Sequence, residues 1–287
     1  MAARFPPAGA ADCHVHVIGP KARYPLAKDR RYTPMDAPTA DLAAMLKRLS
    51  LDRVVLVQPS FYATDNTCML DCMAELPGSR GVAVLPAEVP GAELDDLHRR
   101  GIRGLRVNIA TGGAGALDVM RRDIAAAATL CARNGWHVQI FVPSSVLAPL
   151  APTLLALPVP TVIDHFGLVT PADEGSALSE LRRLLESGKI WVKISGAYRI
   201  AADPFDPRID PLARRIVAAN PERIVWGSDW PHTPKHDLRK PGESDELPFQ
   251  DIDTKGLLAL VPRWLEDDAL VARVLVTNPQ RLYGFTD

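Results

Sequence analysis

The residues of this chain best suited to moving protons or holding a metal ion stand where short apolar runs stop. The first two lie in Asp12-Cys13-His14-Val15-His16. In an extended strand alternate side chains share a face, so His14 and His16 project together. Two imidazoles side by side hold a metal ion, or donate and accept protons around one polarised carbonyl. Alone, the pair also fits a half-buried strand with two hydrogen-bonded histidines. Two later segments add to it: Val162-Ile163-Asp164-His165-Phe166-Gly167 and Val225-Trp226-Gly227-Ser228-Asp229-Trp230-Pro231-His232. Each puts an ionisable residue where a β-branched run meets Gly, Pro or aromatic turn residues. An isolated His165 reads as a packed loop histidine, and an isolated Asp229 as a helix cap. Three strand ends carrying His or Asp read as one site.

Bringing those ends together requires parallel strands. Apolar β-rich runs alternate with helical patterns eight times along the 287 residues. The predicted strands are Asp12–Val17, Arg53–Gln58, Gly81–Leu85, Gly104–Ile109, His137–Val142, Thr161–His165, Ile190–Ser195 and Arg223–Gly227. Amphipathic segments lie between them, among them Thr39–Leu46, Asp118–Asn134, Ser176–Ser187 and Ile209–Asn220. Thr39 and Ser176 are the expected N-caps, and Gly135 and Gly188 the expected C-terminal stops. No linker or composition shift marks a boundary. The pattern predicts an α/β protein, a (β/α)8 TIM barrel forming a single domain over residues 1–287, with its chemistry on the C-terminal rim.

That rim carries further polar groups. Arg106 and Asn108 share a face at the end of the fourth strand, and Arg199 follows the seventh. Arginine grips carboxylates with a planar fork, so both arginines are candidate substrate anchors, with structural ion pairs as the competing reading. Ser60, after the second strand, is placed to donate a hydrogen bond or to cap its own turn. Lys193, two residues before Ser195, is expected as a barrel-layer residue, with a carbamylated or catalytic lysine as the minor reading. Two long connections, 20–38 and 231–253, leave the same rim as candidate lids. The second holds Lys235, His236, Arg239 and Lys240, then Glu243, Asp245 and Glu246, which reads as a solvated charged loop.

Composition narrows the function. The net charge is −1 and no like-charge block occurs, which argues against nucleic acid or an anionic membrane as partner. The N-terminus lacks the apolar stretch of a signal peptide. The most apolar window, 146–162, holds four prolines and is expected as a broken helix and loop. Cys13, Cys68, Cys72 and Cys131 show no metal or redox spacing, although Cys68 and Cys72 share a helix face. Reduced thiols in a cytoplasmic protein are expected. Nothing specifies an oligomeric state.

Taken together, Asp12-Cys13-His14-Val15-His16, Asp164-His165-Phe166-Gly167, Trp226-Gly227-Ser228-Asp229-Trp230-Pro231-His232 and Asn278-Pro279-Gln280-Arg281-Leu282-Tyr283-Gly284 resemble the amidohydrolase superfamily. Within it the chain is most similar to the 2-pyrone-4,6-dicarboxylate lactonase group, over nearly its whole length. The resemblance implies a barrel that hydrolyses a lactone formed in aromatic-compound degradation. By position, His14, His16 and His165 would surround the substrate carbonyl and Asp229 would be the general base. Arg106 and Arg199 would match two carboxylate-binding arginines. Gly112 and Leu168 stand where that group has further arginines, and Phe141 where it has a tyrosine, which draws the dicarboxylate itself into question.

The chemistry is coherent: Asp229 takes a proton from water while the imidazoles stabilise the oxyanion. The expected cofactor is none, since the resembled lactonase group works without metal and rim arginines repel a divalent ion. The alternative is one Zn²⁺ on His14, His16, His165 and Asp229, in a mononuclear zinc hydrolase or decarboxylase. A binuclear site is disfavoured, because Asn108 and Gln139 replace the extra ligands and His137 lies on the opposite rim. The expected partner is a small anionic lactone. A barrel that merely binds a small acid is the third class, and it has no need of a buried base.

Overall fold

The computed structural model describes residues 5–108, 116–173, 175–235, 239–240 and 242–286. Ile109, Gly112 and His236, named above, lie outside them. Eight parallel strands form the barrel: β1 (Ala11–Val15), β2 (Arg53–Val57), β3 (Arg80–Ala83), β4 (Ile102–Asn108), β5 (His137–Phe141), β6 (Thr161–Ile163), β7 (Ile190–Ser195) and β8 (Ile224–Gly227). Each pairs with the next in chain order. A parallel bridge of Val15 with Trp230 and the bond from Asp229 N–H to the His14 carbonyl (2.9 Å) join the two ends. All eight predicted strands exist. Their C-terminal bounds fall up to two residues short of the predicted ones where rim residues turn into loops.

The strands are apolar on both faces because both are covered. Outward residues pack under helices α1 (Thr39–Leu49), α2 (Thr67–Glu75), α3 (Gly91–Arg99), α4 (Ala116–Ala132), α5 (Leu147–Ala156), α6 (Ser176–Glu186), α7 (Ile209–Ala219) and α8 (Thr254–Leu265). In α7, Ile209, Leu212, Ala213, Ile216 and Val217 form one buried stripe. Each large side chain there contributes about 1.5–3 kcal/mol by leaving water. Inside the barrel, Ala11, Cys13, Val55, Val57, Val82, Val162, Trp191 and Val225 fill the lower layers, with Tyr283 and Phe285 of the C-terminal segment packed among them.

Three local expectations are corrected. Pro38 and Gly175 are the N-caps of α1 and α6, so Thr39 and Ser176 are first helical residues and cap nothing. The expected break in 146–162 is instead a continuous α5 with Pro152 inside it. Pro149 is its third residue, where the missing N–H has no intrahelical partner to lose. The other two prolines lie in the connection to β6. Gly135 and Gly188 adopt φ of +64° and +74°, as helix stops do.

The two long rim loops touch. Thr33–Pro34 and Glu246–Leu247 pair in parallel, and Thr33 Oγ1 donates to the Ser244 carbonyl at 2.7 Å. Lys21 and Glu246 add an ion pair at 2.8 Å, while Arg239 is answered by Asp245 and Glu243 within its own loop. All four cysteines are buried and unpaired, with Cys68 and Cys72 both buried on α2. Among the described residues no helix is long and apolar enough to cross a membrane.

Candidate active site

Barrel closure assembles the centre. A register shift between Asp12 and Val15 lets Cys13 sit in the lower barrel layer while His14 and His16 both reach the C-terminal site. Gly227 of β8 admits this approach, since a Cβ there would meet His14 Cβ at 2.6 Å. Just beyond β8 the chain turns through Asp229 at φ +64°, a conformation costing about 1 kcal/mol for a residue with a side chain. Such strain collects at functional sites.

Asp229 is wholly buried and its two oxygens face different company. Oδ2 accepts from Tyr198 OH at 2.7 Å and from Arg199 Nε at 2.5 Å. Oδ1 has no hydrogen-bond partner and stands 3.6 Å from both His14 Nε2 and His16 Nε2. His165 Nε2 lies 4.0 Å from Oδ2. Burial alone would raise the Asp229 pKa; the Arg199 guanidinium, then the histidines, hold it well below the usual carboxylate range. Gly196, at φ +56°, makes room: a Cβ there would lie 2.9 Å from His165 Nδ1 and 3.0 Å from Asp229 Oδ2.

The imidazoles are backed from behind. His16 Nδ1 is 2.7 Å from the Val57 carbonyl, which only accepts, so Nδ1 carries the proton and the neutral ring aims a bare Nε2 at Asp229. His14 Nδ1 stands 3.4 Å from Asp164 Oδ1 and 3.4 Å from Lys193 Nζ, an acceptor and a donor. Partnered by Asp164, His14 presents a bare Nε2; partnered by Lys193, it carries its proton on Nε2 and can donate into the site. His165 Nδ1 is 2.9 Å from Ser195 Oγ. Burial pushes all three below the ordinary histidine value, His165 to about 4, so they are neutral at pH 7.

A polar floor lies beneath. Lys193 Nζ donates to Gln139 Oε1 at 2.7 Å, and Gln139 Nε2 donates to Asp164 Oδ2 at 3.0 Å. Lys193 and Asp164 stand 3.6 Å apart. Burial opposes the Asp164 charge, and Lys193 followed by His14 outweighs it, keeping the carboxyl below its usual range.

Above this floor opens a narrow cleft lined by His16, Tyr32, Ser60, Phe61, Arg106, Asn108, Phe141, His165, Arg199 and Thr233, among others. Arg106, Arg199, Ser60 and Asn108 all reach it, as their strand ends predict. Arg106 is buried and 3.9 Å from Asp164, and the Asn108 Oδ1 lacks a partner. Ser60 opens a short 3-10 turn and is exposed. His137 lies at the start of β5, as expected away from the site.

Four contributors were missed as site residues: Asp164, Lys193, Gln139 and Tyr198. Asp164 precedes His165 at a strand end, and Lys193 shares the strand parity of Ser195, so both carried a usable signal. Gln139 and Tyr198 carried none.

The donor set also fits a metal ion. His14 Nε2, His16 Nε2 and Asp229 Oδ1 converge, and the first and last are orphaned buried acceptors. Ligands at about 2.0–2.2 Å around a tetrahedral ion stand about 3.4 Å apart, close to the spacing here. Asp164 and the Val57 carbonyl stand behind His14 and His16 as the acceptors that metal-bound histidines need.

The sequence profile of the amidohydrolase family matches residues 11–285. The chain is 33% identical to a 2-pyrone-4,6-dicarboxylate hydrolase of Comamonas testosteroni, over 96% of this chain and 90% of that one. It is 35% identical to a 4-sulfomuconolactone hydrolase of Rhizobium radiobacter, over 97% and 91%. A crystal structure of a probable 2-pyrone-4,6-dicarboxylic acid hydrolase from Acinetobacter baumannii, with citric acid bound, superposes with a TM-score of 0.78. It shares 28% identity and covers 96% of this chain and 100% of its own.

Proposed function

Because this chain belongs to the amidohydrolase family, we propose that it is a hydrolase opening a small carboxylated lactone, a cytoplasmic enzyme as its four unpaired cysteines suit. The observation that carries this reading is the unpartnered Asp229 Oδ1, faced by two imidazole nitrogens beneath a cavity that two arginines enter. Relatives named for opening 2-pyrone-4,6-dicarboxylate and 4-sulfomuconolactone support it.

The substrate carboxylate seats near Arg106 and the lactone carbonyl lies over the histidines. Asp229 is ionised throughout the neutral range, and Tyr198 and Arg199 hold Oδ2 so that Oδ1 is the atom offered to water. Water adds to the carbonyl carbon as its proton passes to Oδ1. Imidazole N–H groups of His14 and His165 steady the oxyanion, which is where a fixed donor acts most strongly. As the tetrahedral centre collapses, the acyl carbon–ring oxygen bond breaks and the proton moves from Asp229 to the departing oxygen. The products are a carboxylic acid and a hydroxyl or its keto form.

This reading takes the reaction as metal-independent, in keeping with Arg106, Arg199 and Lys193 around the centre. The bare Nε2 atoms favour a second reading, with one zinc ion held by His14, His16 and Asp229, and His165 adjacent. Bound there, the ion would supply a water of lowered pKa and a polarised carbonyl. Purified protein assayed on a panel of lactones, with elemental analysis of the same sample, tests both. Failure to open any carboxylated lactone overturns the function.

A further inference from the structure

The two arginines that enter the cavity are not equivalent. Arg199 commits Nε to Asp229 Oδ2 at 2.5 Å and one Nη to Thr233 Oγ1 at 3.0 Å. Its guanidinium belongs to the assembly that orients the base. Arg106 donates one Nη to the Gln58 carbonyl at 3.1 Å, while its Nε has no hydrogen-bond partner and lies 3.9 Å from Asp164.

No other cation lines the cavity among the described residues, whose walls include the buried rings of Phe61 and Phe141. The stretch 109–115 that follows β4 reads Ile-Ala-Thr-Gly-Gly-Ala-Gly and holds no ionisable side chain.

We infer that the substrate carries one carboxylate, seated on Arg106, and not two. This rests on the lactone-opening reading and adds a charge to it. A carboxylate entering a buried pocket needs a partner, because desolvating an unpaired charge is far costlier than desolvating a neutral ring. Arg106 provides that partner with forked geometry. A second carboxylate on the same small ring finds no further cation in that lining except Arg199. Against Phe61 or Phe141 it stays unpaired, and against Ser60 or Asn108 it meets neutral donors, weaker than a charged one. Against Arg199 it competes with Asp229 for the guanidinium and releases the carboxyl whose orientation the reaction needs. In each place the dianion is the poorer substrate.

The test uses wild-type protein and matched probes. Turnover of 2-pyrone-6-carboxylate and 2-pyrone-4,6-dicarboxylate is compared, together with calorimetric binding of their carbocyclic analogues benzoate and isophthalate, which no lactonase can open. The expected result is a kcat/KM at least tenfold higher for the monocarboxylate and binding at least tenfold tighter for benzoate. Arg106→Met should weaken benzoate binding tenfold or more while leaving benzamide binding within threefold. Equal or better handling of the dicarboxylate and of isophthalate overturns the inference, and the wild-type comparison stands even if the variant fails to fold. Tighter binding of benzoate with no lactone opened would support the single-anion site and sink the lactonase reading alone.

Discussion

Lys193 Nζ and Asp164 Oδ1 face each other across 3.6 Å in the middle of the barrel, both side chains shut off from solvent. A buried ion pair stabilises a fold little by itself, yet removing one partner leaves the other uncompensated. Here the pair has a further task. Asp164 and Lys193 each stand 3.4 Å from His14 Nδ1, and Gln139 ties them together from below. The tautomer and tilt of His14 therefore depend on β5, β6 and β7 as well as on its own strand.

Lys193→Met should accordingly lower kcat by about tenfold or more with KM within threefold, because it disturbs His14, the group proposed to act on the reacting carbonyl, without touching substrate. The ¹⁵N shifts of the His14 ring should move in the variant while those of His98, remote on α3, stay put. Normal turnover with altered stability would reduce Lys193 to a packing residue.

Asp229→Asn keeps the size of the side chain and removes its capacity to take a proton. A fall in kcat of at least about a hundredfold is expected, that being the ordinary worth of a general base. Near-normal turnover would exclude Asp229 as the base.

The pH profile follows from burial. Asp229 is held below the usual carboxylate range, and His165 is pushed down to about 4. Both lowered values mean that the working protonation state is present at neutral pH and is lost only as pH falls through the folded-state pKa. The acid limb of kcat/KM should lie near 4, well below the ordinary histidine value. Asp12, which burial raises to about 6, accepts from the Ser228 and His14 N–H groups and adjoins this centre. A limb near 6.5 that persists in Asp12→Asn would contradict the assignment of neutral, buried histidines.

Metal dependence divides the two readings of the centre. On the metal-independent reading, chelator-treated enzyme shown to be metal-free by elemental analysis keeps its lactonase activity. Activity lost on chelation and restored by Zn²⁺ would turn His14, His16 and Asp229 from acid–base groups into ligands.

Much of this was readable from residue order. Strand parity placed His14 beside His16, and ionisable residues at ends of β-branched runs located His165, Asp229 and Arg106. Those inferences depend on periodicity and chain order, which a sequence displays directly. What stayed hidden depends on contacts between distant segments. The partnership of Arg199 with Asp229 arises because two turns, each with left-handed residues at Gly196 and Asp229, fold toward one another. The backing of His14 by Asp164 needs the register of the closed barrel, and no local pattern contains it. The helix through Pro149 and Pro152 was concealed by proline itself, whose penalty is small in a first turn and elsewhere is outweighed by burial of Leu147, Leu150 and Leu154.

His14 lies on the first strand of the barrel and Asp229 just past the last, and the two are joined directly by the bond between their backbones. In chain order Asp229 follows all eight strands, whereas His14 lies within the first. A chain halted between residues 17 and 228 would hold His14 and His16 without the proposed base. Even with seven strands in place it would lack that carboxylate. Turnover would therefore report completion of the ring, and a refolding experiment followed by activity would register the closed barrel and not its partly paired precursors.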